Sequence, residues 1–541
     1  MKIAIAQINS TVGDLDKNTE KIILFIANAK KAGADIVVFP ELAITGYPPE
    51  DLVLKTQFVT DNLSCLEKIV KKSCDIAVYI GFVDRVKDDL FNAAAFIVEK
   101  KIKKIYHKIN LPNYSVFDEK RYFKEGETPS LVTYKGVKIG LGICEDVWVN
   151  KSPYLKASKS GAKLMLNINA SPYHIGKIKE RGKILSALAR KTKSYIVYVN
   201  MIGGQDELVF DGGSMVFGPK GNLFASASQY KEEMVVIDLE KKEKINPWLD
   251  HPSEIYGALV LGTKDYVEKN GFSDILIGLS GGIDSALTLV IAVDALGKEH
   301  VHPVFMPSQY TTDQSYTDSK ILCENLEVEM LEISIKDVFD SYLKKLNPQF
   351  KGKPQNIAEE NLQARIRGNY LMALSNKFGW LVLTTGNKSE MSTGYCTLYG
   401  DMSGGFAVIK DVPKTMVYEL ARWINSVQFA VYSLQKRKRV IPQSIIKRAP
   451  TAELAPNQKD QDTLPPYDVL DKIMKAYVEE NKCRGEVCDL SGIDEKTVKH
   501  VIGMIDYSEY KRRQSPPGPR ITPRAFGKDW RLPITNGYRQ R

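Results

Sequence analysis

The length and composition of the chain indicate a folded protein with more than one domain. At 541 residues, it exceeds the size at which a single hydrophobic core keeps growing. Hydrophobic residues make up 43% and charged residues 26%, which are globular values and exclude a disordered or fibrous chain. The formal net charge of +10 suits anionic ligands such as nucleotides but also nucleic acid, so charge alone does not choose between them.

The N-terminus and the cysteines favour a cytoplasmic protein. The chain begins with a short alternating strand pattern rather than a cleavable signal, and no apolar run reaches transmembrane length. The 7 cysteines are scattered and lack a C-x-x-C pair, so they predict neither a disulfide framework nor a zinc site. We therefore expect a cytoplasmic protein without membrane association.

Short β-rich runs separated by helical stretches occupy residues 1–245 and predict an α/β sandwich of two sheets with outer helices. The predicted strands are residues 2–8, 35–39, 76–83, 93–98, 102–107, 137–143, 163–169, 195–200 and 234–239. The clearest helical patterns are residues 18–32 and 177–189.

A charged stretch rich in helix breakers marks a domain boundary. Residues 240–244 are all Glu or Lys, and Asn-Pro-Trp and His-Pro follow without periodicity. We predict a first domain over 1–245, a linker over 246–257 and a second domain over 258–541.

Helices and strands alternate beyond the boundary, as is typical of a Rossmann-like doubly wound parallel sheet. The predicted helices are residues 255–270, 284–296, 312–326 and 357–377, and the predicted strands are residues 274–279, 301–306, 328–333 and 380–383.

Two polar segments of the second domain have more than one interpretation. The basic run Lys436-Arg437-Lys438-Arg439 is either a solvated face or a nucleic-acid contact, and solvation is the more common outcome. The tail from Ser515 onward has too many prolines for regular structure, and disorder is one explanation of it.

A strand, a Gly/Ser loop and a helix follow one another over residues 275–287 and predict a phosphate-binding site. Glycines let the backbone approach an anion, while loop N–H groups, serine hydroxyls and the helix N-terminus supply donors. Asp284 adds a carboxylate suited to Mg²⁺. The predicted ATP-binding residues of the loop are Gly278, Leu279, Ser280, Gly281, Gly282, Ile283, Asp284 and Ser285.

This loop is neither a Walker A sequence nor a G-x-G-x-x-G dinucleotide fingerprint. The segment from Ser280 to Ser285 resembles the S-G-G-x-D-S loop of N-type ATP pyrophosphatases. The resemblance implies attack at the α-phosphate of ATP, release of pyrophosphate and an adenylated substrate. A tight turn without a ligand is the alternative.

Further polar residues are expected at the same edge of the sheet. Thr385 follows an apolar strand, where open α/β sheets bind ligands, and is a predicted ATP contact. Glu390 is a candidate ligand for Mg²⁺ or for the second substrate. Asn361 and Arg365 are four residues apart and share one helix face, which either contacts substrate or forms solvent-facing ion pairs.

Three apolar strands of the first domain end at reactive groups: Glu41, Lys108 and Cys144. Because side chains alternate along a strand, His107 faces away from Lys108 and is more consistent with a structural role. Glu41 could deprotonate Cys144, the thiolate could attack an amide carbon, and Lys108 could stabilise the oxyanion. Each residue alone is a weak signal, since a single cysteine is usually a core residue.

The three residues in this order resemble the nitrilase superfamily, whose three motif blocks match residues 39–42, 107–112 and 142–148. The resemblance spans the first domain and implies an αββα sandwich. It also implies that Glu119 supports the triad. The residues implied to hold glutamine are Tyr114, Glu145, Ser171 and Lys177, although some relatives carry arginine at the last position.

The nitrilase-like domain joined to the S-G-G-x-D-S domain resembles one family, the glutamine-dependent NAD synthetases, over essentially the whole chain. This resemblance implies that Mg-ATP adenylates deamido-NAD and that ammonia from glutamine then displaces AMP. It assigns Lys414 and Thr451 to ATP, Asp284 and Glu390 to Mg²⁺, and Asn361, Arg365, Glu390 and Lys511 to deamido-NAD. It further implies a homo-oligomer, with an octamer as one candidate.

Several points stay open. Leu398 stands where ammonia-only relatives carry a basic residue, so the substrate contacts around Tyr395 to Leu398 are undetermined. A nitrilase-linked amidotransferase that makes a different amide is one alternative, and a tRNA-modifying enzyme that uses the Lys436 to Arg439 run is another. The predicted partners are small molecules and not nucleic acid.

Overall fold

The structure is a computed structural model that describes residues 1–241, 243, 245–426, 440–456 and 458–538. The chain divides into two compact units, Met1–Glu254 and Ile255–Arg541. This division falls inside the segment 246–257 that was predicted as a linker, but a helix already begins there at His251. The basic run from Lys436 to Arg439 lies outside the described residues.

The first unit contains two six-stranded sheets and a two-stranded hairpin. Its strands are β1 (Lys2–Gln7), β2 (Ile36–Val38), β3 (Ala77–Val86), β4 (Asp89–Val98), β5 (Lys101–His107), β6 (Ser130–Tyr134), β7 (Val137–Ile143), β8 (Leu164–Asn169), β9 (Tyr195–Asn200), β10 (Ile202–Gln205), β11 (Leu208–Asp211), β12 (Met215–Phe217), β13 (Leu223–Ser226) and β14 (Glu233–Asp238). Its helices are α1 (Leu15–Lys31), α2 (Thr56–Lys72), α3 (Pro153–Lys159) and α4 (Lys177–Thr192), with 3₁₀ turns at Glu50–Leu54, Glu119–Arg121 and Cys144–Val147.

The two large sheets pack face to face, and helices cover their outer faces. One sheet has the order β14-β1-β2-β3-β4-β5 and the other β13-β12-β9-β8-β7-β6. Because side chains alternate, Ile3 and Ile5 of β1 pack into the core between the sheets, while Ala4 and Ala6 face α1 and α2. Helices α3 and α4 cover the other sheet. The αββα architecture implied by the resemblance is confirmed.

The second unit contains a five-stranded parallel sheet. The strands are β15 (Ile275–Leu279), β16 (Val301–Phe305), β17 (Leu331–Glu332), β18 (Leu381–Thr384) and β19 (Phe406–Ala407). The helices are α5 (His251–Lys269), which crosses the division between the units, α6 (Ile283–Leu296), α7 (Asp313–Leu326), α8 (Lys336–Phe350), α9 (Ile357–Phe378), α10 (Lys388–Thr393), α11 (Lys414–Ser426), α12 (Gln443–Lys447), α13 (Tyr467–Met474), α14 (Arg484–Ser491), α15 (Glu495–Tyr507) and α16 (Glu509–Arg512). There are also 3₁₀ turns at Lys298–His300 and Asp460–Asp462 and a π-helix at Lys475–Glu479.

The strand order β17-β16-β15-β18-β19 confirms the doubly wound sheet. The chain adds β16 and β17 on one side of β15 and then returns to add β18 on the other side. Ligands of such sheets bind where the direction changes, at the carboxyl ends of the strands. Within the described part of the chain, no helix combines the length and the apolar character needed to cross a membrane.

The described part of the proline-rich tail is ordered. Its described residues, 515–538, contain neither helix nor strand, as predicted. However, Ile521 and Thr522 are buried, and both of their backbone N–H groups donate to Asp411 Oδ2 at 2.7 Å. Disorder was therefore the wrong explanation for this part of the tail, because a buried carboxylate supplies the hydrogen bonds that regular structure would otherwise provide.

Candidate active sites

Lys108 lies between two glutamates in the first unit. Its Nζ is 2.7 Å from Glu41 Oε1 and 2.8 Å from Glu119 Oε1, and all three side chains are buried. Burial acts to lower the pKa of Lys108, but the charges of Glu119 and Glu41 outweigh it and raise the pKa well above its usual range. Lys108 therefore stays positively charged. Burial also raises the pKa of Glu119 to about 6, against the opposing charge of Lys108.

Neutral donors hold the two glutamates in place. Glu41 Oε1 accepts a hydrogen bond from Asn92 Nδ2 at 2.7 Å, and its Oε2 accepts one from the backbone N–H of Ala170 at 2.8 Å. Tyr47 donates its hydroxyl to Glu119 Oε1 at 2.9 Å. Neither Asn92 nor Tyr47 was expected from the sequence. The polar amide of Asn92 in the otherwise apolar, buried part of strand β4 was the available signal.

Cys144 begins a 3₁₀ turn directly after β7. Its φ of 39° is in the left-handed region, which a residue with a side chain rarely adopts and which occurs mainly at functional sites. Asp146 stabilises the turn by accepting a hydrogen bond from the N–H of Ile143 at 2.9 Å. Burial, followed by the charge of Glu41, raises the pKa of the Cys144 thiol well above its usual value, although Lys108 opposes this. The resting group is thus a thiol, which needs a base to become a nucleophile.

The predicted glutamine-binding residues lie close to this cluster. Tyr114 donates its hydroxyl to both carboxylate oxygens of Glu145 at 3.1 Å. Burial raises the pKa of Glu145, while Tyr114, Lys108 and Lys177 act in the opposite direction, so these charges lie within electrostatic range of one another. The ammonium of Lys177 lies 3.9 Å from the centre of the Trp148 ring.

Arg181 is a buried residue that the sequence analysis missed. Its Nη1 is 2.7 Å from Asp211 Oδ1. Its Nη2 donates to the carbonyl of Ser171 at 2.8 Å, and its Nε donates to Ser171 Oγ at 3.3 Å. Arg181 therefore positions the predicted glutamine contact Ser171. Its spacing from Ile178 and Leu185, which places it on the buried stripe of α4, was the signal for it.

In the second unit, a cavity of about 280 Å³ opens at the carboxyl ends of β15 and β18. The predicted residues that line it are Gly278, Leu279, Ser280, Gly282, Ile283, Asp284, Ser285, Thr385, Glu390, Lys414 and Thr451. Gly281 is not among its lining residues. It has a φ of 76°, and a Cβ at this position would lie 2.6 Å from the carbonyl oxygen of Ser315. Glycine is required there so that the loop can approach α7.

Lys414 joins two carboxylates in this cavity. Its Nζ pairs with Asp284 and lies 3.4 Å from Glu390 Oε1. Burial raises the pKa of Glu390 to about 8, with Lys414 opposing and Asp284 reinforcing the shift. Asp460, which the sequence analysis did not select, also lines the cavity. The three carboxylates of Asp284, Glu390 and Asp460 outnumber the one ammonium group of Lys414. Carboxylate oxygens are ligands that suit Mg²⁺.

The predicted deamido-NAD residues Asn361, Arg365 and Lys511 converge on the segment 394–398. Asn361 Oδ1 accepts a hydrogen bond from Thr397 Oγ1 at 2.8 Å, and Arg365 Nε donates to the carbonyl of Leu398 at 3.2 Å. Lys511 Nζ donates to the carbonyls of Gly394 at 2.7 Å and Cys396 at 2.8 Å. The three residues shape the segment from which Tyr395 and Thr397 reach the cavity.

Two arginines lining the cavity were also missed: Arg367 and Arg448. Arg448 donates from Nη1 to Ser315 Oγ at 2.8 Å and from Nη2 to the carbonyl of Gly281 at 2.5 Å, so it holds the Gly/Ser loop against α7. It lies 133 residues from Ser315, and no local pattern indicates this contact.

Comparisons with known proteins agree with this division of the chain. Residues 2–244 match the carbon-nitrogen hydrolase family, and residues 255–515 match the NAD synthase family. Fold and matches together define a carbon-nitrogen hydrolase unit followed by an NAD synthase unit.

Relatives that match the full length of the chain show which family it belongs to. A glutamine-dependent NAD(+) synthetase of Thermotoga maritima is 46% identical, over 100% of this chain and 99% of the relative. One of Acinetobacter baylyi is 45% identical, over 99% of both chains. The solved structure of a glutamine-dependent NAD+ synthetase from Acinetobacter baumannii in complex with ADP has a TM-score of 0.80 at 43% identity, covering 100% of this chain and 99% of that one. The chain therefore belongs to the glutamine-dependent NAD(+) synthetase family, and its activity is the glutamine-dependent, ligase-type synthesis of NAD.

Proposed function

We propose that the first unit hydrolyses glutamine at Cys144 and that the second unit uses the released ammonia to amidate deamido-NAD with ATP. The buried cluster of Glu41, Lys108 and Glu119 beside the Cys144 thiol is the observation that carries this proposal. It supplies a base, a fixed positive charge and a nucleophile in one buried place. A structural core would not accumulate these groups, because unneeded buried charges are costly.

In the glutaminase reaction, Glu41 accepts the proton of the Cys144 thiol and the sulfur attacks the side-chain amide carbon of glutamine. Lys108 donates a hydrogen bond to the oxyanion that forms. Glu41 then returns the proton to the amide nitrogen, ammonia leaves, and a thioester remains. Water, deprotonated by Glu41, hydrolyses the thioester to glutamate and the free thiol. Tyr114, Glu145, Ser171 and Lys177 hold the substrate.

In the synthetase reaction, the Gly/Ser loop binds the phosphates of ATP through its N–H groups and the hydroxyls of Ser280 and Ser285. The nicotinate carboxylate of deamido-NAD attacks the α-phosphorus, the bond to the β-phosphate breaks, and pyrophosphate leaves. Ammonia then attacks the adenylated carboxyl carbon and expels AMP, giving the amide. Glu390 contacts deamido-NAD beside the loop, and Asn361, Arg365 and Lys511 position it by way of the segment 394–398, which they hold in place.

Asp284 and Glu390 would hold Mg²⁺, with Asp460 as an additional oxygen donor, and the ion would neutralise phosphate charge. Lys414 balances these carboxylates and would turn toward the phosphates. The pKa of about 8 at Glu390 supports this assignment, because burial, reinforced by the charge of Asp284, disfavours the ionised carboxylate, which a nearby cation would stabilise.

A substrate assay tests the proposal. Purified full-length chain with ATP, Mg²⁺ and glutamine should release pyrophosphate with deamido-NAD and form NAD. Other carboxylic acids and tRNA should release none. Turnover of another carboxylate in preference to deamido-NAD would favour an amidotransferase for a different amide, and turnover of tRNA would favour a tRNA-modifying enzyme.

We also propose that ammonia passes between the sites without mixing with solvent, because ammonia in neutral water becomes mostly ammonium and loses its nucleophilic lone pair. Enzyme supplied with ¹⁵N-amide glutamine and excess unlabelled ammonium should place mainly the labelled nitrogen in NAD. Dilution of the label to the bulk ratio would exclude a sheltered path while leaving the glutaminase assignment intact.

Assembly and location complete the proposal. A homo-oligomer, with an octamer as one candidate, is implied by the family resemblance and is tested by light scattering. The free cysteines, several of them not buried, suit a reducing compartment, so we place the protein in the cytoplasm, without membrane or nucleic-acid partners. Cell fractionation tests the location.

A further inference from the structure

Three basic side chains line the cavity of the second unit: Lys414, Arg448 and Arg367. Lys414 pairs with Asp284 and Glu390, and Arg448 lies 3.7 Å from Glu453 Oε1. Arg367 differs from both. Within the described parts of the chain, it forms no ion pair, and its one hydrogen bond runs from Nε to the carbonyl of Met306 at 3.0 Å.

Glu453, the acidic residue whose charge acts on Arg367, already forms hydrogen bonds and an ion pair with other side chains. Glu453 contributes a favourable charge to Arg367, but its Oε1 accepts hydrogen bonds from Ser315 Oγ at 2.7 Å and Thr312 Oγ1 at 3.0 Å. Arg448 also pairs with it. Burial therefore dominates and lowers the pKa of Arg367 to about 10. A guanidinium that is largely removed from water and has no ion pair of its own is unfavourable unless it serves a ligand.

The position of Arg367 indicates which ligand this is. Met306 directly follows β16, so the bond to its carbonyl anchors the guanidinium at the carboxyl edge of the sheet. The Gly/Ser loop follows the neighbouring strand β15 at the same edge. A guanidinium has five N–H donors in a planar fork that matches phosphate oxygens, and only Nε is engaged.

We infer that Arg367 binds a phosphate group of ATP through its two terminal guanidinium nitrogens. This inference rests on the proposed use of ATP by the second unit. It assigns Arg367 to the substrate rather than to the architecture of α9, where the neighbouring Arg365 holds the segment 394–398 instead.

Nucleotide binding to the full-length protein without deamido-NAD tests the inference. Calorimetric titration with Mg-ATP and with adenosine should be made on wild type, Arg367→Met, Arg367→Lys and the matched control Lys377→Met, which removes an exposed cation from the same helix. Arg367→Met should weaken ATP about tenfold or more while changing adenosine less than about twofold. Arg367→Lys should restore part of the ATP affinity, and Lys377→Met should match wild type.

The outcomes separate the possible errors. Equal weakening of ATP and adenosine in Arg367→Met would overturn the inference in favour of stacking on the base or a structural role. Unchanged ATP affinity would also overturn it. If wild type bound neither ATP nor adenosine, the proposed function itself would fail.

A second measurement needs no variant. Phenylglyoxal labels accessible arginines, and Arg367, which is partly exposed and lines the cavity, should be one of the labelled sites in wild type. Mass spectrometry should find Arg367 labelled, and protected by ATP but not by adenosine. Protection by both compounds, or by neither, would contradict phosphate binding at this residue.

Discussion

Arg181 and Asp211 form an ion pair that is fully buried, with 2.7 Å between Nη1 and Oδ1. Removing one partner leaves the other charge buried alone, so Arg181→Met should destabilise the first unit by about 3–5 kcal/mol. Arg181→Met/Asp211→Leu should recover part of this loss. Urea unfolding followed by tryptophan fluorescence measures both. Arg190→Met, on the exposed side of the same helix, is the control. If Arg181→Met were as stable as Arg190→Met, the ion pair would not be important for stability.

Cys144→Ala should stop NAD synthesis from glutamine, by a factor of about 10⁴ or more, while synthesis from ammonium salt continues. The thiol is needed only to release the amide nitrogen. NAD formation from each nitrogen source is the measurement, and the ammonium-driven rate is the internal control for folding of the second unit. Retained use of glutamine would rule out the nitrilase-type site.

Asp284→Asn should lower NAD synthesis by about 10²–10³-fold with either glutamine or ammonium, because both nitrogen sources need the same adenylate. Basal glutaminase activity should survive, since Cys144 and its partners lie in the other unit. Glutamate release and NAD formation are measured on the same preparation. Near-normal synthesis at ordinary Mg²⁺ would contradict the assignment of Asp284.

Gly281→Ala should abolish ATP-dependent turnover, because its Cβ would lie 2.6 Å from the carbonyl oxygen of Ser315. Gly271→Ala is the matched control. It has a similar φ of 80° but no atom within 4 Å of the added Cβ, so it carries the conformational cost of about 1 kcal/mol without the clash. Pyrophosphate release should be lost in the first variant and retained in the second. Equal effects would show that backbone strain alone is responsible.

Glu254 should make the stability of the first unit depend on pH. Burial raises its pKa from 4.5 to about 7, against a hydrogen bond of 3.2 Å from the N–H of Gly176. Between these values the unfolded chain loses the proton that the folded chain keeps, so stability falls as pH rises. Glu254→Gln keeps the acceptor and stays neutral.

The melting temperatures of Glu254→Gln and wild type should therefore agree near pH 4.5 and diverge up to about pH 7, with the variant higher. Above that pH the difference should be constant. Glu127→Gln, an exposed substitution in the same unit, should follow wild type throughout. If the melting temperatures of wild type and Glu254→Gln differed by the same amount at every pH, ionisation of Glu254 would not be the cause.

The sequence by itself predicted a sandwich of two sheets with outer helices, a doubly wound parallel sheet and most of the reactive side chains of the two sites. Glu41 and Cys144 follow apolar strands, Lys108 follows the lysine-rich strand β5, and the Gly/Ser loop joins a strand to a helix. Their places at strand ends follow from periodicity and chain order. The parallel sheet then brings the Gly/Ser loop and Thr385 to one edge, as the alternation of strands and helices indicated.

Only the tertiary structure decided how the charges are balanced. Asn92 contacts Glu41 across 51 residues, Arg181 meets Asp211 across 30, and Asp411 orders the tail across 110. Arg367 and Arg365 are two residues apart on one helix, yet one lines the cavity and the other holds the segment 394–398. Hydrophobic periodicity depends on neighbours along the chain and is visible in the sequence, whereas the partner of a buried polar group depends on which distant segments pack around it.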